Sequence, residues 1–337
     1  MGITMKVLVI GLGSMGKRRV RNLIALGGNE IAGFDLREDR CKEAHEKYGI
    51  TLFSDIESAL KNFRPEALVI STSPAHHMEY AWMGFELGLP CFIEASVVEA
   101  DRILQLHLIS EQSKVLIAPS CTMRHFPGPK KVKELIGQGM IGKPLNINYQ
   151  TGQYLPDWHP WEKIENFYVS ERETGAGREI VPFELTWLND IFGEPIPLAC
   201  VKSKLTDINA DIDDIYHCLL RYPEGVLANI TVEVISRPQA TREMRVLGST
   251  GEIVFSADEN CVRYCNNDNS DWVKFDLDRG TCEAGYLNPE EPYIAEMRDF
   301  INAVLQDNKK LYPNTLLDDY RLLQTLCELE ELSERML

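Results

Sequence analysis

The chain reads as an α/β protein with two parts. Residues 1–124 predict a doubly wound parallel sheet, and residues 125–337 predict an α+β domain with a large, mostly antiparallel open sheet. Three observations lead there. The first third alternates short aliphatic runs with helix-period stretches, the order that builds parallel sheets through right-handed crossovers. A glycine-rich turn joins the first run to the first helix. Past residue 124 the alternation gives way to consecutive strand-like runs with short turns between them, which fold as antiparallel sheets.

Val7 to Ile10 is an unbroken aliphatic run, as a strand buried on both faces requires. It leads into Gly11-Leu12-Gly13-Ser14-Met15-Gly16. In that spacing the first glycine makes a tight turn, the second lets backbone approach a pyrophosphate, and the third lets helix and strand pack closely. The helix that follows offers its N-terminal N–H groups to phosphate. Ile31 to Phe34 forms the second strand and ends in Asp35, about 20 residues past the glycines, where a carboxylate bonds a ribose hydroxyl. Strand, GxGxxG, helix, strand and terminal acid together form a Rossmann dinucleotide-binding fingerprint. Asp35 favours NAD, because a 2′-phosphate would meet its charge, while Arg37 would stack on adenine or hold that phosphate and keeps NADP open.

The remaining elements follow in order. Val20, Leu23, Ile24 and Gly27 mark one helix face. Cys41, Ala44, His45 and Tyr48 mark another, with Gly49 as its stop. Ser54 and Glu57 have capping-box spacing ahead of a helix through Phe63. Ala67–Ile70, Cys91–Ile93 and Val115–Ala118 are strands, with helices to Leu87 and over 99–112 between them. Ligands of such sheets sit beyond the carboxyl ends of the strands, so the loops after Ile10, Phe34, Ile70 and Ile93 border one cleft. Beyond residue 124, helices cover 130–138 and 179–192, a strand covers 145–154, and four strand-like runs lie between Ala199 and Phe255. Two helices end the chain, split by Tyr312-Pro313-Asn314.

Composition narrows the partners. The formal charge of −16 argues against nucleic acid or an anionic membrane. No apolar stretch reaches the length of a membrane span. The nine cysteines are scattered without a CxxC, as expected of reduced, mainly buried thiols in a cytoplasmic protein with no metal site.

Six segments carry a family resemblance over nearly the whole chain. They are Gly11–Gly16, Ser71-Thr-Ser-Pro-Ala-His-His77, Gly88-Leu-Pro-Cys-Phe-Ile-Glu94, Arg124-His-Phe-Pro127, Leu135–Pro144 and Gly248-Ser-Thr-Gly-Glu252. With them the chain resembles the glucose–fructose oxidoreductase, inositol dehydrogenase and rhizopine-catabolism (Gfo/Idh/MocA) family. The resemblance implies a nicotinamide cofactor and hydride transfer at a hydroxyl-bearing carbon of a sugar, nucleotide sugar or cyclitol. It also implies a homodimer or homotetramer formed through the C-terminal sheet. It places Ser71, Thr72, Pro74, His77, Glu94, Ala95 and Arg124 at the cofactor, with Glu94 near the nicotinamide ribose.

The chain departs from the family where chemistry occurs. Members follow the strand glutamate with Lys-Pro, and the lysine is catalytic; here Ala95-Ser96 stands instead. The helix that usually carries Asp, His and Asp has Ile180, Phe183 and Thr186 in those places, with Glu179 and Glu184 one residue away from two of them. Glu184, half buried beside Phe183 and Trp187, would have its affinity for a proton raised and act as the base that alcohol oxidation needs. Glu179 and His159 are the other acid/base candidates. Tyr154, Asp157, Trp158 and Trp161 form an aromatic segment suited to stacking on a sugar face and bonding its hydroxyls. Lys17, Arg18, Arg19 and Arg21 cluster after the glycine loop, where one of them would touch phosphate and the others stay solvated. The alternative to an enzyme is a non-catalytic dinucleotide-binding sensor or partner subunit, in keeping with the lost catalytic residues.

Overall fold

In the computed structural model, which describes residues 5–158, 163–166 and 168–335, the chain divides into two units. The first holds the residues up to Thr122 together with Glu290–Tyr320, and the second holds Met123–Pro289 with the residues from Arg321 on. The late segment, second in sequence order, thus packs with the first unit.

The first unit runs β1 (Met5–Ile10), α1 (Ser14–Leu26), β2 (Asn29–Phe34), α2 (Glu38–Tyr48), β3 (Thr51–Phe53), β4 (Ala67–Ile70), α3 (His77–Glu86), β5 (Cys91–Ile93), α4 (Ala100–Ser110) and β6 (Ile117–Pro119). The strands form one parallel sheet in the order β3-β2-β1-β4-β5-β6. Chain order reverses between β1 and β4, the switch point beside which ligands bind. Val7–Ile10 and Ala67–Ile70 have no exposure, as aliphatic runs covered on both faces must.

Two local readings change. Ile24 is 48% exposed, because it lies about 100° round the helix from the buried Leu23. The capping box at Ser54 does not form. Asp55 caps the short helix Ile56–Ser58, accepting the Ser58 N–H at 2.7 Å, and the Ser54 hydroxyl is spent on Asp55 at 3.0 Å. A wider turn, Ala59–Phe63, completes that segment.

The second unit contains α5 (Pro127–Gly137), β7 (Pro144–Gly152), α6 (Ala176–Phe192), β8 (Ile196–Ser203), β9 (Ile215–Arg221), β10 (Leu227–Glu233), β11 (Thr241–Gly248), β12 (Gly251–Ser256), β13 (Cys261–Asn266) and β14 (Asn269–Asp276). Its eight strands are ordered β14-β13-β12-β11-β7-β10-β9-β8. Neighbours are antiparallel except β7 and β10, which run parallel. Between Ile196 and Ser256 lie five strands, where turn signals predicted four. The missed break, 204–214, has no glycine or proline. It is held by the Asp214 carboxylate, which accepts the N–H groups of Leu205 and Thr206 at 2.8 Å each.

Two helices close the chain, α7 (Glu291–Leu305) and α8 (Leu316–Glu334). α7 packs on α1. Glu290, just ahead of it, accepts from Arg18 at 3.1 Å, Arg21 at 2.9 Å and Asn22 at 3.0 Å, and Arg18 stacks on Tyr293.

Candidate functional site

The glycine loop shows why each glycine is needed. Gly11 has φ +87°, and a Cβ there would stand 2.5 Å from the Ser71 carbonyl oxygen. A Cβ on Gly16 would stand 1.8 Å from the Gly11 carbonyl oxygen. Around Gly13 the space is open except for the Arg40 guanidinium, 3.4 Å away. α1 has no side-chain cap and no acid in its first turn. An uncapped helix N-terminus, an open glycine and a nearby guanidinium fit a pyrophosphate. Ser14 and Met15 open α1, half-buried, while Leu12 sends its side chain into the core.

Asp35 is fixed by the loop it serves. Its two carboxylate oxygens accept the Leu12 N–H at 2.6 Å and the Arg37 N–H at 2.8 Å, leaving lone pairs for ribose hydroxyls. The side chain of Arg37 is committed to Asp39 through bonds of 3.1 and 2.6 Å, and it holds that carboxyl down at about 2. Arg40, which the sequence reading passed over, lies 3.8 Å from Asp35 and beside Gly13. Its position, one turn into α2, was the available signal.

At the ends of β4 and β5, Glu94 is buried and held on three sides. Arg19 donates to it twice, at 2.6 and 2.9 Å, and Ser71 donates at 3.2 Å. The remaining nitrogen of Arg19 lies 2.9 Å from Glu296. Arg19 therefore has no solvated charge, contrary to expectation, and Arg18 is only 3% exposed. Arg19 lies three residues past Gly16, on the face that packs against the sheet, a spacing visible in the sequence. Lys17 pairs with Glu43.

The loop after β4 contains Ser71 and Thr72, and Pro74 opens the short turn ahead of α3. His77 is buried and its Nε2 bonds the Thr72 carbonyl at 3.0 Å. A carbonyl only accepts, so Nε2 carries the hydrogen. Burial lowers the proton affinity of His77 more than the Thr72 contact raises it, so the ring is neutral, with Nδ1 buried and without a partner among the described residues. Ala95 follows Glu94 and offers no polar group.

In the second unit Glu184 is not half-buried but fully so. It accepts from Arg242 at 2.6 Å, Tyr149 OH at 2.6 Å and Trp187 Nε1 at 2.9 Å. Burial raises the Tyr149 phenol well above its ordinary range, and the Glu184 charge adds to that. In Arg242 burial is the largest single effect and lowers proton affinity, but the charges and hydrogen bonds of Glu184 and Tyr149 together outweigh it and keep the guanidinium protonated. The sequence showed α6 but not its partner, since Arg242 lies on β11. Glu179, one turn into α6, is half-buried and accepts from Tyr168 OH at 2.8 Å. Arg124 donates to the Thr186 carbonyl at 3.0 Å on the same helix.

Tyr154 lies under the Arg237 guanidinium, 4.4 Å from the ring centre, and its hydroxyl accepts from Arg237 at 3.2 Å. Asp157 is exposed at the end of the turn Leu155–Asp157, and the Trp158 indole nitrogen is buried without a hydrogen-bond partner among the described residues. His159 and Trp161 lie outside the described residues. No helix among the described residues is long and apolar enough to cross a membrane.

A parallel sheet with this glycine loop, joined to a mixed eight-stranded sheet, defines an NAD-binding oxidoreductase. The chain belongs to the Gfo/Idh/MocA family. Residues 5–116 match the oxidoreductase family's NAD-binding Rossmann fold, and residues 130–254 match the GFO/IDH/MocA C-terminal domain. An uncharacterized oxidoreductase of Synechocystis is 22% identical over 279 residues, 79% of this chain and 67% of that protein. Inositol 2-dehydrogenase 3 of Saccharopolyspora erythraea is 26% identical over 149 residues, 42% of this chain and 44% of that protein, so this chain spans less than half of it. A levoglucosan dehydrogenase solved with NADH and levoglucosan has the same fold. Its TM-score is 0.85 at 17% identity, over 98% of both chains.

Proposed function

We propose that this chain is an NAD-dependent dehydrogenase acting at a hydroxyl-bearing carbon of a sugar, nucleotide sugar or cyclitol. The first unit would hold the cofactor and the second would supply the substrate contacts. The observation that carries the reading is the glycine loop with Gly13 open beneath Arg40 and Asp35 fixed at its side. The substrate class rests on the relatives named for inositol and levoglucosan.

Bound NAD would supply the hydride acceptor or donor. The protein's own part is holding and proton transfer. The α1 N-terminus and Arg40 suit the pyrophosphate, Asp35 suits the adenosine ribose, and Ser71 with Glu94 suits the second ribose. Neutral His77 offers one bare acceptor nitrogen beside them. Tyr154, Asp157, Trp158 and Trp161 remain the proposed sugar contacts.

For the proton step, Glu179 is a better candidate than Glu184. It is half-buried with a phenol partner, whereas Glu184 is closed in by three donors and serves Arg242 as counter-ion. His159 remains a second candidate. The test compares Glu179→Gln with Glu184→Gln on an identified substrate. Glu179→Gln is expected to lower kcat about 100-fold or more with the melting temperature kept, the usual scale for a lost acid/base group. Glu184→Gln is expected to lower the melting temperature. The reverse pattern overturns these assignments.

A second reading, a non-catalytic NAD-binding sensor or partner subunit, is favoured by Ala95 in place of the lysine and by the closed setting of Glu184. Retained NAD binding with no hydride exchange across sugars, nucleotide sugars and cyclitols would establish it.

For assembly, a second copy is the proposed cover of the open sheet. Val201, Leu219 and Leu227 point outward from β8, β9 and β10 at 50%, 47% and 47% exposure.

A further inference from the structure

The loop 94–99, between β5 and α4, holds buried polar atoms that the dinucleotide geometry does not use. Ser96 stands where family members carry proline, and it is buried, as is Asp319 of α8. Both belong to the first unit. Ser96 Oγ, Asp319 Oδ2 and Glu99 Oε2 are all buried, and among the described residues none of them makes a well-formed hydrogen bond. Glu99 ends the loop with φ +63°, a left-handed conformation that costs a non-glycine residue energy. The loop is thus strained at one end and, two residues past Glu94, rests beside an acid.

A firm frame brings that acid there. Tyr312 OH and Asn314 Nδ2 donate to the Pro119 carbonyl at the end of β6, at 2.9 and 3.2 Å. Thr315 and Asp318 then cap α8 reciprocally. Asp318 accepts the Thr315 N–H at 3.0 Å and its hydroxyl at 2.7 Å, and the Asp318 N–H donates back to Thr315 Oγ1 at 3.1 Å. The cap leaves Asp318 half-buried and turns Asp319 inward. Burial raises the Asp319 carboxyl to about 7, against a smaller lowering by the Ser96 hydroxyl, and the neighbouring Asp318 charge adds to the rise. Among the described residues Asp318, on the same helix, is the charged group that acts on it, and the loop packed against it contributes only the Ser96 hydroxyl.

We propose that Asp319 and Ser96 form a buried positioning pair for the Glu94–Glu99 loop, so that loss of the Asp319 proton releases the loop and weakens dinucleotide binding. The proton passes to solvent, and no bond other than the O–H breaks. The protonated acid is neutral and stays beside Ser96. Among the described residues the carboxylate has no cation to meet it, and burying an unpaired charge is costly, so the pair moves toward water and draws the loop with it. Glu94, two residues before Ser96, is then held less firmly in its place on Arg19. The proposal rests on the loop after β5 being a cofactor loop.

The test is NADH titration of the whole protein between about pH 6 and pH 8.5, with an infrared measurement of carboxylic C=O absorption that needs no cofactor. The parent protein is expected to lose affinity about fivefold or more through a one-proton midpoint near 7. Asp319→Asn is expected to flatten that profile and to lose the carboxylic band. Ser96→Ala, which removes a group favouring the anion, is expected to move the midpoint upward, and it decides the matter if Asp319→Asn does not fold. An unchanged profile in Asp319→Asn, an unmoved midpoint in Ser96→Ala, or no carboxylic band assignable to Asp319 overturns the pair. Absence of NADH binding at every pH overturns the cofactor reading and the coupling together, and the infrared band separates that failure from failure of the pair itself.

Discussion

Arg19 has no solvent exposure and lies between two carboxylates, Glu94 and Glu296, with its guanidinium 4.4 Å from the Phe92 ring centre. Glu296 also accepts from Ser120 at 3.0 Å and from the Cys121 N–H and Thr122 hydroxyl at 2.5 Å each. Truncating one partner of such a set leaves buried charge uncompensated, at about 3–5 kcal/mol. Arg19→Ala is therefore expected to lose about that much stability in urea unfolding. A loss under about 1 kcal/mol would contradict the buried-pair account. At this scale the sequence showed Gly11, Gly13, Gly16 and Asp35 plainly, because each acts through local backbone geometry. It did not show Arg19 with Glu94, or Glu184 with Arg242, because those pairs join residues 75 and 58 positions apart. Residue type and helix position alone gave Arg19 a solvated role and Glu184 the role of a half-buried base.

Among the elements, the turn from β1 into α1 tolerates least. A Gly16 Cβ would meet backbone rather than a movable side chain, so the loop itself must shift. Gly16→Ala is expected to weaken NAD binding at least about tenfold, or about 1.4 kcal/mol, as read by calorimetry. Undiminished affinity would show that the loop does not carry the pyrophosphate. The first turn of α8 makes a second prediction. The folded Asp319 carboxyl titrates at about 7 against an ordinary 3.8, so the folded chain keeps a proton that the unfolded chain gives up. Stability from this group is present below about pH 4, falls as pH rises to about 7, and is level beyond. Asp319→Asn should remove that slope and be the more stable form above pH 7, by at most about 4–5 kcal/mol. Unfolding curves at several pH values check it, and parallel slopes for both proteins would contradict it. Elements were legible where period and punctuation agreed, as in β1, α1, α2 and α6. The break at 204–214 was not, because a carboxylate rather than glycine or proline makes that turn.

For the whole molecule, fold class and family were readable from order and motif. The return of Glu290–Tyr320 to the first unit was not, since it depends on Glu290 meeting arginines 269 and 272 positions away. If the open face of the second sheet seats another copy, Leu219→Glu should shift the protein to a smaller species in light scattering while NAD binding persists. An unchanged mass would place the interface elsewhere. Because NAD binds the folded form, saturating it at about 100 times its dissociation constant should add about 2.7 kcal/mol of stability. The same ligand is expected to take part in hydride transfer. The most direct measurement follows NADH formation or consumption with the purified protein against a panel of sugars, nucleotide sugars and cyclitols. Turnover is expected with at least one member of the panel, reduced strongly by Glu179→Gln. NAD bound tightly with no hydride exchange on any member would contradict it and leave a dinucleotide-binding protein without catalysis.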